Sequence, residues 1–312
     1  MKRLFVVIFI LMATIAAAQE HTKNQKENAK TLKEAIALQS EGKLAESNQK
    51  LTDLYALHFM EDYVCWQLSN NYYRIGDIKK AERFANEAMG EGSKYVLQAG
   101  IIKSMCLGIR KQPDEQLQLL ERLAVAYPNE AKANPTMHIL IATLNNDKQL
   151  YIHAFLAYYM YLFTNPVTYG KETILAINDL MSRRDVNSII DEKTTNPSQL
   201  TKEDNDLIWG MLFINELKTS ATDSESGLPD VNNFVNNSKT LITSICQSIE
   251  EKKGFYEEFY VNFYDKILKS NMLEVFLYYC LANAYPDINT AIPGMSKEKM
   301  DAFADWLEGE WK

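Results

Sequence analysis

The sequence predicts an all-α protein, a short run of helical hairpins followed by a less regular helical half. Three observations carry that reading. From Leu32 onward, apolar residues recur at i, i+3, i+4 and i+7, with little period-two alternation and few β-branched runs. The stretch YYRIGDIKKAERFANEA (72–88) joins two such patterns through Gly76–Asp77, as a helix–turn–helix does. A second glycine, Gly42 in LQSEGKLAESNQKLTDL, lies 34 residues before Gly76, and each is followed two positions on by an apolar residue.

The chain opens MKRLFVVIFILMATIAAAQEH. Lys2 and Arg3 precede an apolar run from Leu4 to about Ile15, and the small residues Ala16, Ala17 and Ala18 follow. That order reads as a secretory signal peptide over residues 1–18, cleaved near Ala18–Gln19. The apolar run falls short of the roughly 20 residues that span a bilayer. No Cys follows it to accept a bacterial lipid anchor. The expectation is an exported product, periplasmic or secreted, with no stable membrane insertion after cleavage. Residues 19–30, QEHTKNQKENAK, form a polar lead-in without periodicity.

Removing Lys2 and Arg3, with no acid among residues 1–18, moves the formal charge from −8 to −10. An acidic chain whose longest basic cluster is MSRR (181–184) is poorly equipped to neutralise phosphates, so nucleic acid is not an expected partner. The cysteines, Cys65, Cys106, Cys246 and Cys280, fit no C-x-x-C metal or redox spacing. Each sits in an apolar helical pattern, where a thiol serves as a small core residue. Buried free thiols are therefore expected, with Cys65–Cys106 the one pair that an exported protein could join.

Around Gly76 the landmarks of a known repeat fall into place. Leu68 and small Ser69 precede the turn glycine by eight and seven residues and Tyr72 by four; Ala81 opens the packing face of the second helix and Ala88 closes it. In these letters, and in the interval of about 34 residues, the chain resembles the tetratricopeptide repeat as carried by exported bacterial proteins. The resemblance extends over about residues 28–166. A third unit (100–130) has Pro113–Asp114 at the turn and ends at Tyr127–Pro128. A fourth (135–166) has Asn145, Asn146 and Asp147 at the turn, Ala154 as its small packing residue and Pro166 as its stop. The resemblance implies a right-handed solenoid of α-helical hairpins over 31–166, in which neighbouring units complete each other's core.

It also implies which residues face a partner. First helices of the family line the concave side, which assigns Tyr63, Trp66, Asn70, Tyr73 and Arg74 to that face. Asn70 and Arg74 match two positions that clamp a peptide carboxylate in some family members. The equivalent positions in the first unit are Leu32, Ile36 and Ser40 and in the third Ile101, Met105 and Ile109, which suits an apolar groove better than a carboxylate clamp.

Beyond Pro166 the period is lost, and 167–312 reads as an irregular helical extension. Helices are expected near 169–183, 201–218, 232–252, 255–270, 272–285 and 296–310, with Thr201, Asp204 and Ser296 as helix-start residues. The loops RRDVNSIIDEKTTNPSQ and TSATDSESGLPD interrupt them. An echo, Leu-Ala-x-Ala-Tyr-Pro, at 123–128 and 281–286 reads as two helices with the same stop chemistry. GFYEEFYVNFYDKIL places Phe255, Phe259 and Phe263 on one stripe, with Tyr256, Tyr260 and Tyr264 beside them; a stripe this wide is expected to face other helices, while a Tyr-rich edge lining a carbohydrate or peptide groove is the alternative. YIHAFLAYYMYLF (151–163) is apolar on nearly every side and should be a central, covered helix.

No catalytic motif is present. G-x-S-x-G, the phosphate-binding G-x-x-x-x-G-K-[ST] and H-E-x-x-H are all missing. His21, His58, His138 and His153 show no metal-ligand spacing, although His138 and His153 fall on the two helices of one hairpin. The pairs Glu257–Glu258 and Asp301–Asp305 read as solvated faces. No metal or cofactor is expected. The leading expectation is a noncatalytic exported helical-repeat protein that binds a protein or peptide partner in the cell envelope. One alternative is a helical enzyme or small-ligand domain in the C-terminal half, with His138 or His153 beside a perturbed carboxylate. Another is a glycan-binding nutrient-uptake protein.

Overall fold

The computed structural model describes residues 24–165, 170–182, 227–248, 254–282, 284–285 and 297–310. The signal peptide, its cleavage point, His21, the helix expected at 201–218, Ser296 and most of the two polar loops lie outside the described residues. What is described is helical: α1 (24–40), α2 (Leu44–Ala56), α3 (Glu61–Arg74), α4 (Ile78–Ala88), α5 (Val96–Ile109), α6 (Pro113–Ala126), α7 (Pro128–Lys132), α8 (Pro135–Asp147), α9 (Tyr151–Thr164), α10 (Gly170–Ser182), α11 (Val231–Ser248), α12 (Asn262–Lys269, continuous with a π-turn over Glu257–Val261), α13 (Leu273–Leu281) and α14 (Lys297–Glu310). No helix among the described residues is long and apolar enough to cross a membrane. The chain divides into two compact units, Met1–Gln116 and Leu117–Lys312.

In the first unit one turn recurs. Gly42 and Gly76 both have positive φ, 79° and 83°. The amide of Gly42 donates to the Gln39 carbonyl and that of Lys43 to Leu38; the amides of Gly76 and Asp77 donate to Tyr73 and Tyr72 in the same pattern, 34 residues on. This is the Schellman arrangement, in which a left-handed residue lets the chain cap the carbonyls of the helix it leaves. Lys111 (φ 59°) repeats it 35 residues later, with Lys111 N–H on Gly108 and Gln112 N–H on Leu107. The third turn therefore lies at Lys111–Gln112, two residues before the expected Pro113–Asp114. Pro113 is instead the first residue of α6, where its missing N–H costs nothing.

Helix α3 packs on α2, α4 and α5, and α4 packs on α5. Its buried face, Val64, Cys65 and Leu68, meets Leu51, Leu54, Phe84 and Ala88 in one cluster. A second, smaller cluster gathers Ala81, Ile102 and Cys106. Ala81 and Ser69 are fully buried, as close helix approach requires. A polar lock also crosses the packing: Asn71 on α3 accepts from Gln39 of α1 at 2.6 Å and donates to Ser47 and Asn48 of α2 at 3.0 and 2.9 Å. Asp77, as N-cap of α4, accepts from Lys80 N–H at 3.1 Å, and this bond holds its carboxyl below the usual range.

In the second unit α9 is the central element, with every residue from Ile152 to Leu162 buried, as its all-round apolar pattern requires. It packs on α8, α10, α13 and the π-turn. The turn between α8 and α9 is built on Gln149 (φ 63°), whose amide reaches Asn146 while that of Leu150 reaches Asn145. This corrects the expectation that Asn145–Asp147 form the turn. Those residues end α8, and Asn145 is held inside it because its Nδ2 donates to the Ile141 carbonyl at 2.8 Å. All four cysteines are free and buried.

Candidate functional site

Of the five residues assigned to a partner face, the structure brings two together and adds a third ring. Tyr63 and Trp66 lie one turn apart on α3, with ring centroids 5.5 Å apart. Tyr95, at the start of α5, stacks on Trp66 at 5.3 Å with planes 13° apart and meets Tyr63 edge-on at 5.1 Å. All three are half-buried, so each keeps part of its ring in solvent. The position of Tyr95 is set by the loop before it. Its amide donates to Ser93 Oγ at 3.0 Å, and Ser93 Oγ donates to Asp62 at the start of α3 at 3.3 Å. The Tyr63 hydroxyl is pushed up, mainly by burial and next by Tyr95.

The other three residues separate along α3. Asn70 is half-buried and its side chain makes no hydrogen bond within the described residues, leaving two donors and an acceptor for a partner. Tyr73 turns toward Ala81, Ile102 and Cys106, and burial raises its hydroxyl. Arg74 is exposed, and its Nη1 donates to the Gln39 carbonyl at 3.4 Å, near the C-terminus of α1. Tyr95 escapes a reading by repeat position because it sits at a helix boundary, in GSKYVLQ, just before the first residue of α5. Gln98, one turn farther along α5, buries its Oε1 with no donor.

The second unit holds a different arrangement. The aromatic stripe faces the interior, and its three tyrosine hydroxyls reach α6, α8 and α9. Tyr256 OH donates to Glu121 Oε1 at 2.8 Å and accepts from Asn145 Nδ2 at 2.7 Å. Tyr260 OH lies 3.0 Å from His138 Nδ1, and Tyr264 OH donates to the Leu156 carbonyl at 2.7 Å. His138 Nε2 is 3.0 Å from the Lys132 carbonyl, an acceptor only, so the proton sits on Nε2 and Nδ1 accepts from Tyr260. His153 lies face to face on Tyr256, and both its ring nitrogens are buried without a partner. Burial pushes His138 down to about 4 and His153 to about 3, so both are neutral at pH 7. Burial also raises the Glu121 carboxyl against the opposing effect of Tyr256.

Glu257 is a correction. It was expected on a solvated face with Glu258, yet it is buried while Glu258 is exposed. The π-turn explains this, since one extra residue per turn carries the helix face past its α-helical register. The cluster combines a raised carboxyl, two neutral imidazoles and the phenols of Tyr256 and Tyr260. His138 is committed on both nitrogens, whereas both nitrogens of His153 are buried without a partner. Among the described residues no group of three or more His, Cys, Asp or Glu side chains is arranged to hold a metal.

Comparison of the chain with protein-family models finds no match, and comparison with curated proteins finds none either.

Proposed function

We propose that this chain is a noncatalytic, exported protein of tetratricopeptide-like helical hairpins whose α3 face holds a protein or peptide segment in the cell envelope. The observation that carries the reading is the half-exposed ring cluster Tyr63–Trp66–Tyr95 beside the unpartnered Asn70. Large rigid rings bury area at small entropic cost and dominate interface energetics, and an unpaired amide reads the backbone of an extended segment. The recurrent left-handed turns at Gly42, Gly76 and Lys111 support the hairpin-repeat part of the proposal. Export rests on the order of charged, apolar and small residues at the start of the sequence.

The test is selection of peptides on the chain expressed without residues 1–18, followed by titration of the winners against Trp66→Ala, Tyr95→Ala and the double variant. Loss of about tenfold or more in affinity for each single change is expected, as for aromatic anchors. Winners that bind the double variant as tightly as the parent would refute the assignment. A parallel glycan screen separates the nutrient-uptake alternative, which requires sugars rather than peptides to compete at Trp66.

A second reading, a small-ligand or catalytic function in the C-terminal half, draws on the juxtaposition of His153, Tyr256 and Glu121. It requires that His153→Ala, which opens space on the Tyr256 ring, abolish turnover or binding of a small molecule by the folded chain. Unchanged ligand binding by that variant would dispose of it.

A further inference from the structure

The ring cluster of the first unit sits at the acidic start of α3. Tyr63, Trp66 and Tyr95 each keep part of a ring in solvent, and a ring face is the negative end of an aromatic quadrupole. Asp62 adjoins them. One of its carboxylate oxygens accepts from the Tyr63 amide at 2.9 Å, and the other accepts from Ser93 Oγ, which in turn accepts from the Tyr95 amide. Among the described residues Asp62 has no lysine, arginine or histidine partner, and each oxygen keeps acceptor capacity. The neighbouring charges leave this end negative. Glu61 contacts His58 Nδ1 at 2.8 Å, and Glu91 and Lys94 in the loop before α5 offset each other. The start of α3, which has no side-chain cap, contributes roughly half a positive charge, less than Asp62 alone opposes to it. Arg74 lies three turns farther along α3 than Tyr63, about 16 Å by helical rise, whereas screening acts over about 8 Å at physiological salt.

Resting on the reading of this face as one that holds a protein or peptide segment, we propose that the segment presents an arginine, whose guanidinium lies on the rings of Tyr63 and Trp66 against the Asp62 carboxylate. A cation over an aromatic face is attracted by the quadrupole, and an indole attracts it most strongly. Arginine fits better than lysine, because its planar group stacks on a ring while its fork of N–H donors meets both oxygens of one carboxylate. The Asn70 amide, one turn beyond Trp66, is then left for the backbone of the segment. The formal charge of the chain, −8, draws basic segments toward it and repels acidic ones.

The test is selection of random heptapeptides on the chain, followed by calorimetric titration of an arginine-containing winner and its citrulline and lysine counterparts. Citrulline keeps the planar shape and loses the charge. Arginine should be enriched among winners that require Trp66, and the citrulline and lysine peptides should bind about tenfold more weakly, the scale of a hydrogen bond to a charged group. Asp62→Asn should erase the difference between arginine and citrulline with helical circular dichroism unchanged. Ser93→Ala separates charge from positioning: it releases Tyr95 and keeps the carboxylate, so it should lower both affinities and preserve their ratio. Four results overturn this inference and leave the peptide-binding reading standing: Trp66-dependent winners without arginine, citrulline or lysine peptides that bind as tightly as arginine, an undiminished difference in Asp62→Asn, or a difference lost in Ser93→Ala. Winners that all bind Trp66→Ala as tightly as the parent overturn both.

Discussion

The imidazole of His153 lies flat on the phenol ring of Tyr256, with centroids 3.6 Å apart and planes 2° from parallel. The contact shields both imidazole nitrogens from water, and neither meets a hydrogen-bonding partner. It therefore favours the neutral ring and opposes protonation.

Acid should destabilise the second unit over a defined window. An unfolded histidine titrates near 6.5, whereas folded His138 and His153 titrate near 4 and 3. Below 6.5 the unfolded chain binds more protons than the native one, so stability present above that pH is lost as pH falls toward the folded values. Each histidine contributes up to about 1.4 kcal/mol per pH unit inside the window. The raised carboxyl of Glu121 works in the opposite direction, since its native state takes up a proton first. Urea unfolding at pH 7 and pH 5 should show a lower midpoint at pH 5, and His153→Phe should shrink the difference. An unchanged difference in that variant would contradict the assignment.

Asn71→Ala should strip partners from Gln39, Ser47 and Asn48 at once. Leaving buried polar groups unpaired costs about 1–3 kcal/mol each before relaxation, so a loss of about 3 kcal/mol is expected in the first unit. Asn71→Ala/Gln39→Leu should recover part of it. A double-mutant cycle of urea midpoints measures the coupling, and simple additivity would show that the Gln39 bond contributes nothing.

The left-handed turns predict opposite signs for exchanges with glycine. Gly42 and Gly76 have no atom within 4 Å of where a Cβ would lie, so Gly76→Ala is opposed by conformation alone, by about 1 kcal/mol. Lys111→Gly relieves the same strain and should stabilise by up to about 1 kcal/mol, less the entropy that glycine adds to the unfolded chain. Thermal midpoints moving in the same direction for both variants would count against the shared turn.

Tyr264→Phe should cost about 1 kcal/mol, because a fully buried side chain loses its hydrogen bond to the Leu156 carbonyl, which keeps its helical N–H. Chemical denaturation of the purified variant reads this directly, and a neutral result would mean that the bond adds no net stability.

Thiol reagents should find the native chain inert at pH 8. Cys65 is pushed up to about 12 by burial and then by Glu87, and Cys106 to about 11 by burial and then by Glu82, so neither supplies thiolate. Cys280 lies well above the usual thiol range, and Cys246 is buried. Four thiols should react together on unfolding, and fast reaction of any one without denaturant would place it nearer the surface.

Local chemistry made much of the fold readable. The apolar period marked nearly every described helix, because burial of one face repeats with the helical turn. Gly42 and Gly76 marked two turns, because a positive φ favours glycine. Lys111 and Gln149 adopt the same conformation without that signature, so Pro113 and Asn145–Asp147 drew the turns to the wrong residues. The resemblance to the repeat family put Trp66 and Tyr63 on a common face, but Tyr95 joins them from a separate helix start.

By itself the sequence determined the all-α character, the helix spacing with its 34-residue interval and the covered position of α9, since each follows from interactions within a few turns of chain. Tertiary structure alone decided which side chains became partners. Tyr256 meets Glu121 across 135 residues and Tyr260 meets His138 across 122, and the π-turn turned Glu257 inward. Those choices depend on which helix faces pack together and on the cost of burying an unpaired polar atom, neither of which is written in local periodicity.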